Sequence, residues 1–183
     1  MQSHQNQIKK IAPVAVTAFV AAMLVGAFSF TTTAYAAVTF DPTTGTGFVG
    51  KGDVQTAFGW NNKVFQQNVG GVSFEADKTT VTEVSWVCTN DRNENIQERE
   101  RTTTTESTEV VSSIARERNQ ITGFTLSGFG DTIGEPKTST EGPPVNSCPS
   151  GPWTLTTPAG DPEVVSTSAD LFVVFGDDRI KLT

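Results

Sequence analysis

The chain has 183 residues, with 13 Lys and Arg against 20 Asp and Glu, and a formal net charge of −7. Its single His, His4, its single Tyr, Tyr35, and both Met residues all lie before residue 37. The remainder therefore has no imidazole and no phenol, which excludes Ser-His-Asp and Cys-His catalysis and His-containing zinc sites within it.

The N-terminus reads as an export signal. Lys9 and Lys10 form a positive start, residues 11–30 are uncharged and apolar or small, and Ala34-Tyr35-Ala36 offers a small-x-small cleavage site. Residues 1–36 are expected to be a signal peptide cut after Ala36, leaving residues 37–183 as one β-rich domain. The apolar stretch is also long enough to cross a bilayer uncleaved, but Pro13 interrupts its start and the cleavage site follows directly. No second long apolar run follows, so no membrane span is expected after cleavage. The mature domain carries 11 cations and 20 acids, a net charge of −9, which repels nucleic acid and anionic lipid. The expected location is secreted or in the cell envelope.

In chain order, the first distinctive stretch is residues 45–62, GTGFVGKGDVQTAFGWNN. It matches G-x-G-x-x-G and G-x-x-x-x-G-K, the two glycine-rich phosphate patterns. However, Gly52 stands where a P-loop needs Ser or Thr, only a short Val38-Thr39-Phe40 precedes, and no long amphipathic helix follows directly. The stretch reads instead as a glycine-rich bend or twisted strand. One short helix is expected near residues 61–69, capped by Asn61 or Asn62 and ended by Gly70-Gly71.

A strand is expected over residues 72–76 and another over 81–89. In the second, Val84, Trp86 and Cys88 share the face turned to the core, with Glu83, Ser85 and Thr89 opposite. Residues 90–93, Asn-Asp-Arg-Asn, read as a turn. Residues 96–108 alternate in charge and then run through four threonines, which suits an exposed edge strand. Two further strands, residues 109–117 and 121–129, are joined at Arg118-Asn119-Gln120. Residues 130–152, rich in Gly, Pro, Ser and Thr, read as a long surface loop, and a hairpin closes the chain over 171–182 with its turn at Gly176-Asp177-Asp178. About eight strands at hairpin spacing give the expected class: mainly β, a single antiparallel β-sandwich or small β-barrel.

The segment at residues 45–62 resembles one found near the mature N-terminus of exported prokaryotic proteins of uncharacterised function. In that resemblance a strand-turn-helix region precedes a Cys-containing strand with a nearby Trp, here Trp86 and Cys88. The resemblance implies an architecture and no activity.

Cys88 and Cys148, the two cysteines of an exported chain, are expected to form one disulfide. Lys51 and Asp53 lie in the glycine-lined bend, and Trp60, Asn61 and Asn62 place an aromatic face beside two amides. Stacking with bidentate amide bonding is the equipment of a sugar-binding platform. The competing reading makes Phe58 and Trp60 core and the Asn pair a helix cap. Asp161, Asp170, Asp177 and Asp178 have no EF-hand spacing, so no metal and no other cofactor is expected. The functional expectation is a non-enzymatic domain that binds an extracellular or cell-surface partner, carbohydrate being the candidate ligand, or serves as an envelope component. The alternatives are a carboxylate-based glycoside hydrolase and a secreted inhibitor or effector presenting residues 130–152.

Overall fold

The computed structural model describes residues 38–183; the expected signal peptide and its cut after Ala36 lie outside the described residues. Two short strands come first, β1 (Thr39–Phe40) and β2 (Thr46–Gly50). In the turn between them the Asp41 carboxylate accepts hydrogen bonds from the Thr43 amide and hydroxyl and from the Thr44 hydroxyl. These bonds favour the charged form and hold its pKa at about 2. Helices α1 (Lys51–Phe58) and α2 (Asn62–Asn68) follow. Three long strands come next, β3 (Ser73–Thr89), β4 (Asn95–Glu117) and β5 (Gln120–Glu141), then β6 (Thr154–Thr157), β7 (Glu163–Phe175) and β8 (Asp178–Lys181).

All eight strands join one antiparallel sheet in the order β1-β2-β5-β4-β3-β7-β8, and β6 takes the edge of β3 beyond the reach of β7. The mainly β, antiparallel class is the one expected, and it is consistent with a β-sandwich. β1 and β8 are the two ends of the strand order. The β4–β5 pair shifts register at four places. Such bulges bend a strand pair and increase its twist. Across this bent region Phe74 of β3 reaches Phe124 of β5, with 5.1 Å between ring centroids.

The main core lies at the helix end of the sheet. Phe74 and Ala76 of β3, Val110 of β4, Phe124 and Leu126 of β5, and Leu171 and Val173 of β7 are buried with Val49, Val54 of α1 and Phe65 of α2. Trp86 and Cys88 are also buried but belong to a separate cluster at the far end of β3. Cys88 is bonded to Cys148 across 60 positions of sequence. The residue before Cys148 closes the cover, since Trp86 Nε1 donates to the Ser147 carbonyl at 2.7 Å. On the chain-entropy argument, closing a loop of that length stabilises the fold by about 4 kcal/mol.

Between Ala76 and Trp86 runs roughly 33 Å of strand. On that face Thr80 and Thr82 of β3 pair with Thr104 and Thr102 of β4, which pair with Thr138 and Thr140 of β5, while Thr167 and Val164 of β7 complete the two rows. All eight side chains are β-branched, a shape that fits the pleated surface without a core beneath it. The opposite face is held by charge. Glu83 receives Arg99 and Arg101 at 3.6 and 3.3 Å, and Arg179 bridges Glu75 and Asp77 at 2.7 Å each while lying over the Phe172 ring. Burial pushes the Asp77 carboxyl up. Hydrogen bonds from Arg179 and Ser107, and the charges of Arg179 and Lys137, outweigh it and hold the group below its ordinary 3.8. Its stabilising contribution is complete above about pH 4 and is lost as pH falls through the lowered native value.

Four expectations change. A second helix, α1, precedes the expected one, which is α2. The stretch from Gly130 continues as strand to Glu141, so the surface loop is only residues 142–153. Residues 96–108 are not an edge strand throughout: from Arg101 onward β4 has β5 on its other side. The expected strands at 72–76 and 81–89 are one unbroken β3.

The two tryptophans should differ in weight. Trp86 is 1% exposed, whereas Trp60 is only partly buried. Trp86→Ala is expected to cost about 3–5 kcal/mol in urea denaturation with the disulfide intact, the range for buried aromatic truncation, and Trp60→Ala less. An equal or larger cost for Trp60→Ala contradicts this placement of the two clusters.

Candidate functional site

The helix end of the molecule is built by two turns that face each other. β2 ends in an extended Gly50, and α1 begins at Lys51 because Asp53 at its third position accepts the Gly50 N–H at 3.0 Å. An acid in the first turn also complements the helix dipole. α1 ends at Gly59 in the left-handed conformation, φ 66°, with the Trp60 N–H returning to the Gln55 carbonyl at 2.7 Å. A left-handed C-terminal residue is the ordinary place for glycine. The reversal lays Trp60 on Phe58, rings stacked at 4.6 Å, and brings its edge to Phe175 and Phe65. Asn61 then caps α2, its Oδ1 accepting the Val64 N–H at 3.0 Å, and Phe65 anchors that helix in the core. Gln55 Nε2 donates to Asn62 Oδ1 at 3.0 Å, tying the two helices together.

The second turn joins β4 to β5. Arg118 and Asn119 both have positive φ, 48° and 66°, as a two-residue hairpin of matching twist requires. Register places this tip beside the start of α1. Gly50 pairs with Gly123, and Arg116 pairs with Ile121 two positions earlier on β5. Gly123 is required there, because a Cβ would run into the Val49 carbonyl of the neighbouring strand.

Between the turns lies a cleft of about 440 Å³, lined by Lys51 of α1, Asn62 and Gln66 of α2, and Arg116, Asn119, Gln120 and Ile121 of the hairpin. That volume is within the range of small-ligand sites. Lys51 Nζ stands 5.7 Å from the Phe65 ring centroid, close enough for a cation–π contact. A shallower dish of about 580 Å³ adjoins it, formed by Gly52, Gln55, Thr56, Gly59, Trp60, Asn61 and Asn62. Asn62 is common to both concavities. A smaller groove carrying Glu117 and Arg118 shares Gln120 and Ile121 with the cleft.

The five residues picked out in the sequence divide accordingly. Trp60, Asn61 and Asn62 are brought together in the dish, and Lys51 and Asn62 in the cleft. Asp53 is 1% exposed and spends its carboxylate on the helix start, so it is placed to support Lys51 and not to touch a ligand. Asn61 has its oxygen committed to α2. Gln66, Arg116, Asn119 and Gln120 were not singled out, since their convergence depends on register and not on any local pattern. Of the aspartates considered as metal ligands, Asp170 is held by Lys181 at 2.9 Å. No protein family, curated protein or solved structure matches the chain.

Supporting and presenting residues should separate in stability measurements. Asp53→Ala, which orphans the Gly50 amide, is expected to cost about 1–3 kcal/mol, and Asn61→Ala about 0.5–2 kcal/mol. Lys51→Ala and Gln66→Ala are expected to stay within about 0.5 kcal/mol of the parent. An Asp53→Ala protein as stable as the parent in urea contradicts the capping role.

Proposed function

We propose that the protein is an exported, non-enzymatic binding domain, acting outside the cytoplasm or within the cell envelope, and that it grips a saccharide at the helix–hairpin end. The carrying observation is the pair of adjoining concavities there, one lined by four amide side chains and the other carrying Trp60. Amides donate and accept at once, which matches sugar hydroxyls, and an aromatic face beside them suits the apolar face of a pyranose ring. The disulfide supports an oxidising compartment, and the small-residue cleavage pattern at Ala34-Tyr35-Ala36 supports export.

The carboxylates argue for binding over hydrolysis. A glycoside hydrolase needs one acid held protonated near neutral pH. Neither the cleft nor the dish has an Asp or Glu in its lining, and Glu75 and Asp77 are occupied by Arg179.

The test is a panel of immobilised polysaccharides probed with the purified residues 37–183. At least one glycan should be retained, and the Asn62→Ala/Gln66→Ala double variant should bind it at least tenfold more weakly, which corresponds to about 1.4 kcal/mol, with its fold confirmed by a cooperative thermal transition. Retention of no glycan, or full retention by the double variant, overturns the reading.

A further inference from the structure

We infer that the glycan held at this end is acidic, carrying carboxylates that pair with Arg116 and Lys51; the inference rests on the binding reading above and names its ligand class. The argument begins with where the unpaired cations are. Lys78, Arg99, Arg101, Arg179 and Lys181 all stand in ion pairs with acids. Among the described residues, Lys51, Lys63, Arg92, Arg116, Arg118 and Lys137 form no ion pair; four of these six, Lys51, Lys63, Arg116 and Arg118, lie on α1, α2 and the β4–β5 hairpin tip, while Arg92 is in the β3–β4 turn and Lys137 on β5. A domain of net charge −9 thus gathers four of its six unpaired cations at one end.

Two of the four, Lys51 and Arg116, line the cleft, and no acid lines it. Glu117, next to Arg116 in sequence, lines the adjoining groove and not this cleft, and Asp53, two positions from Lys51, is buried and bonded to the Gly50 amide. It offsets the dipole of α1, so the positive character of the cleft comes from the two side chains. A guanidinium presents a planar fork that takes a carboxylate through two parallel N–H···O bonds, and a lysine supplies a second positive point without fixed direction. Four amides on the same walls have the donor and acceptor balance of ring hydroxyls and add no charge. Asn62 joins this cleft to the Trp60 dish, so consecutive sugar units of one chain can lie in the two concavities, the uronate over the cations and its neighbour against the ring. Acidic proteins repel polyanions over most of their surface, and two unpaired cations set in a cleft without an acid admit such a chain there.

The experiment compares one backbone in two charge states. Polygalacturonate and its fully methyl-esterified form have the same sugars and linkages but differ in carboxylate charge. Binding of residues 37–183 to each is measured by affinity electrophoresis and titration calorimetry, with wall teichoic acid as a phosphodiester-bearing comparison. Polygalacturonate should bind at least tenfold more tightly than the ester. Arg116→Gln and Lys51→Gln, each confirmed folded by its melting temperature, should each remove most of that difference, and raising salt should weaken the acidic form selectively. Equal binding of the two forms overturns the acidic assignment and leaves the saccharide reading standing. Binding of teichoic acid with none of polygalacturonate overturns the carboxylate assignment in favour of phosphate. Binding of the ester alone, unaffected by either substitution, overturns the role of Arg116 and Lys51.

Discussion

The fold depends on one continuous interaction, the antiparallel ladder between β3 and β4. It runs without a shift from Phe74 opposite Val110 to Thr89 opposite Asn95. Everything else is attached to it: β7 and β6 to the free side of β3, β5 to the free side of β4, and the helices to the end where its faces become apolar. Long unbroken antiparallel pairing satisfies the backbone groups that the two strands turn toward each other, and the strands on their free sides take up most of the rest. It gains little by itself from side chains, and the polar middle shows how the sequence meets that demand. Threonine rows lie on one face, and ion pairs of Glu83, Glu75 and Asp77 on the other.

Apolar burial is concentrated at the two ends, and they are closed by different means. The helix end closes by packing, with α1 and α2 laying Val54 and Phe65 over Phe74, Phe124 and Leu171. The far end has too few apolar residues for that, and the Cys88–Cys148 bond with the Trp86–Ser147 hydrogen bond holds a loop over it instead. A covalent tie suits an end that cannot supply a core. The same division explains the candidate site. The packed end has room for two turns to meet, and the helix and hairpin termini bring there the polar residues that termini require, with the cations beside them.

Much of this was legible in the sequence where the pattern is local. The alternation of Val84, Trp86 and Cys88 gave a face of β3 on which Trp86 and Cys88 are buried and Val84 partly so, the Asn61 cap gave the start of α2, and the cysteine pair gave the disulfide. What was not legible has physical causes. α1 contains Gly52, Asp53 and Thr56 in eight residues, poor helix formers individually. It stands because Asp53 caps it and Val54 is buried. The stretch after Gly130 reads as loop because of Gly134 and Pro136. It is strand at an edge, because β2 pairs with β5 only as far as Ser127, and at an edge a missing donor is tolerated; Pro136 lies in the register shift between Ile133 and Lys137. At the site, Lys51, Trp60, Asn61 and Asn62 were visible as a cluster in sequence. Arg116, Asn119 and Gln120 join them only through the pairing of Gly50 with Gly123.

Native-state hydrogen exchange tests the two-ended ladder most directly. In the oxidised protein the amides of Phe74, Ala76, Thr80, Thr82 and Trp86 are expected to exchange slowly as one group, because β3 is paired on at least one side along its whole length. After reduction of Cys88–Cys148, the amides of Trp86 and Cys88 should lose protection while those of Phe74 and Ala76 keep theirs. Fast exchange at Thr80 and Thr82 in the oxidised protein, or equal loss at both ends on reduction, contradicts a ladder pinned independently at its two ends.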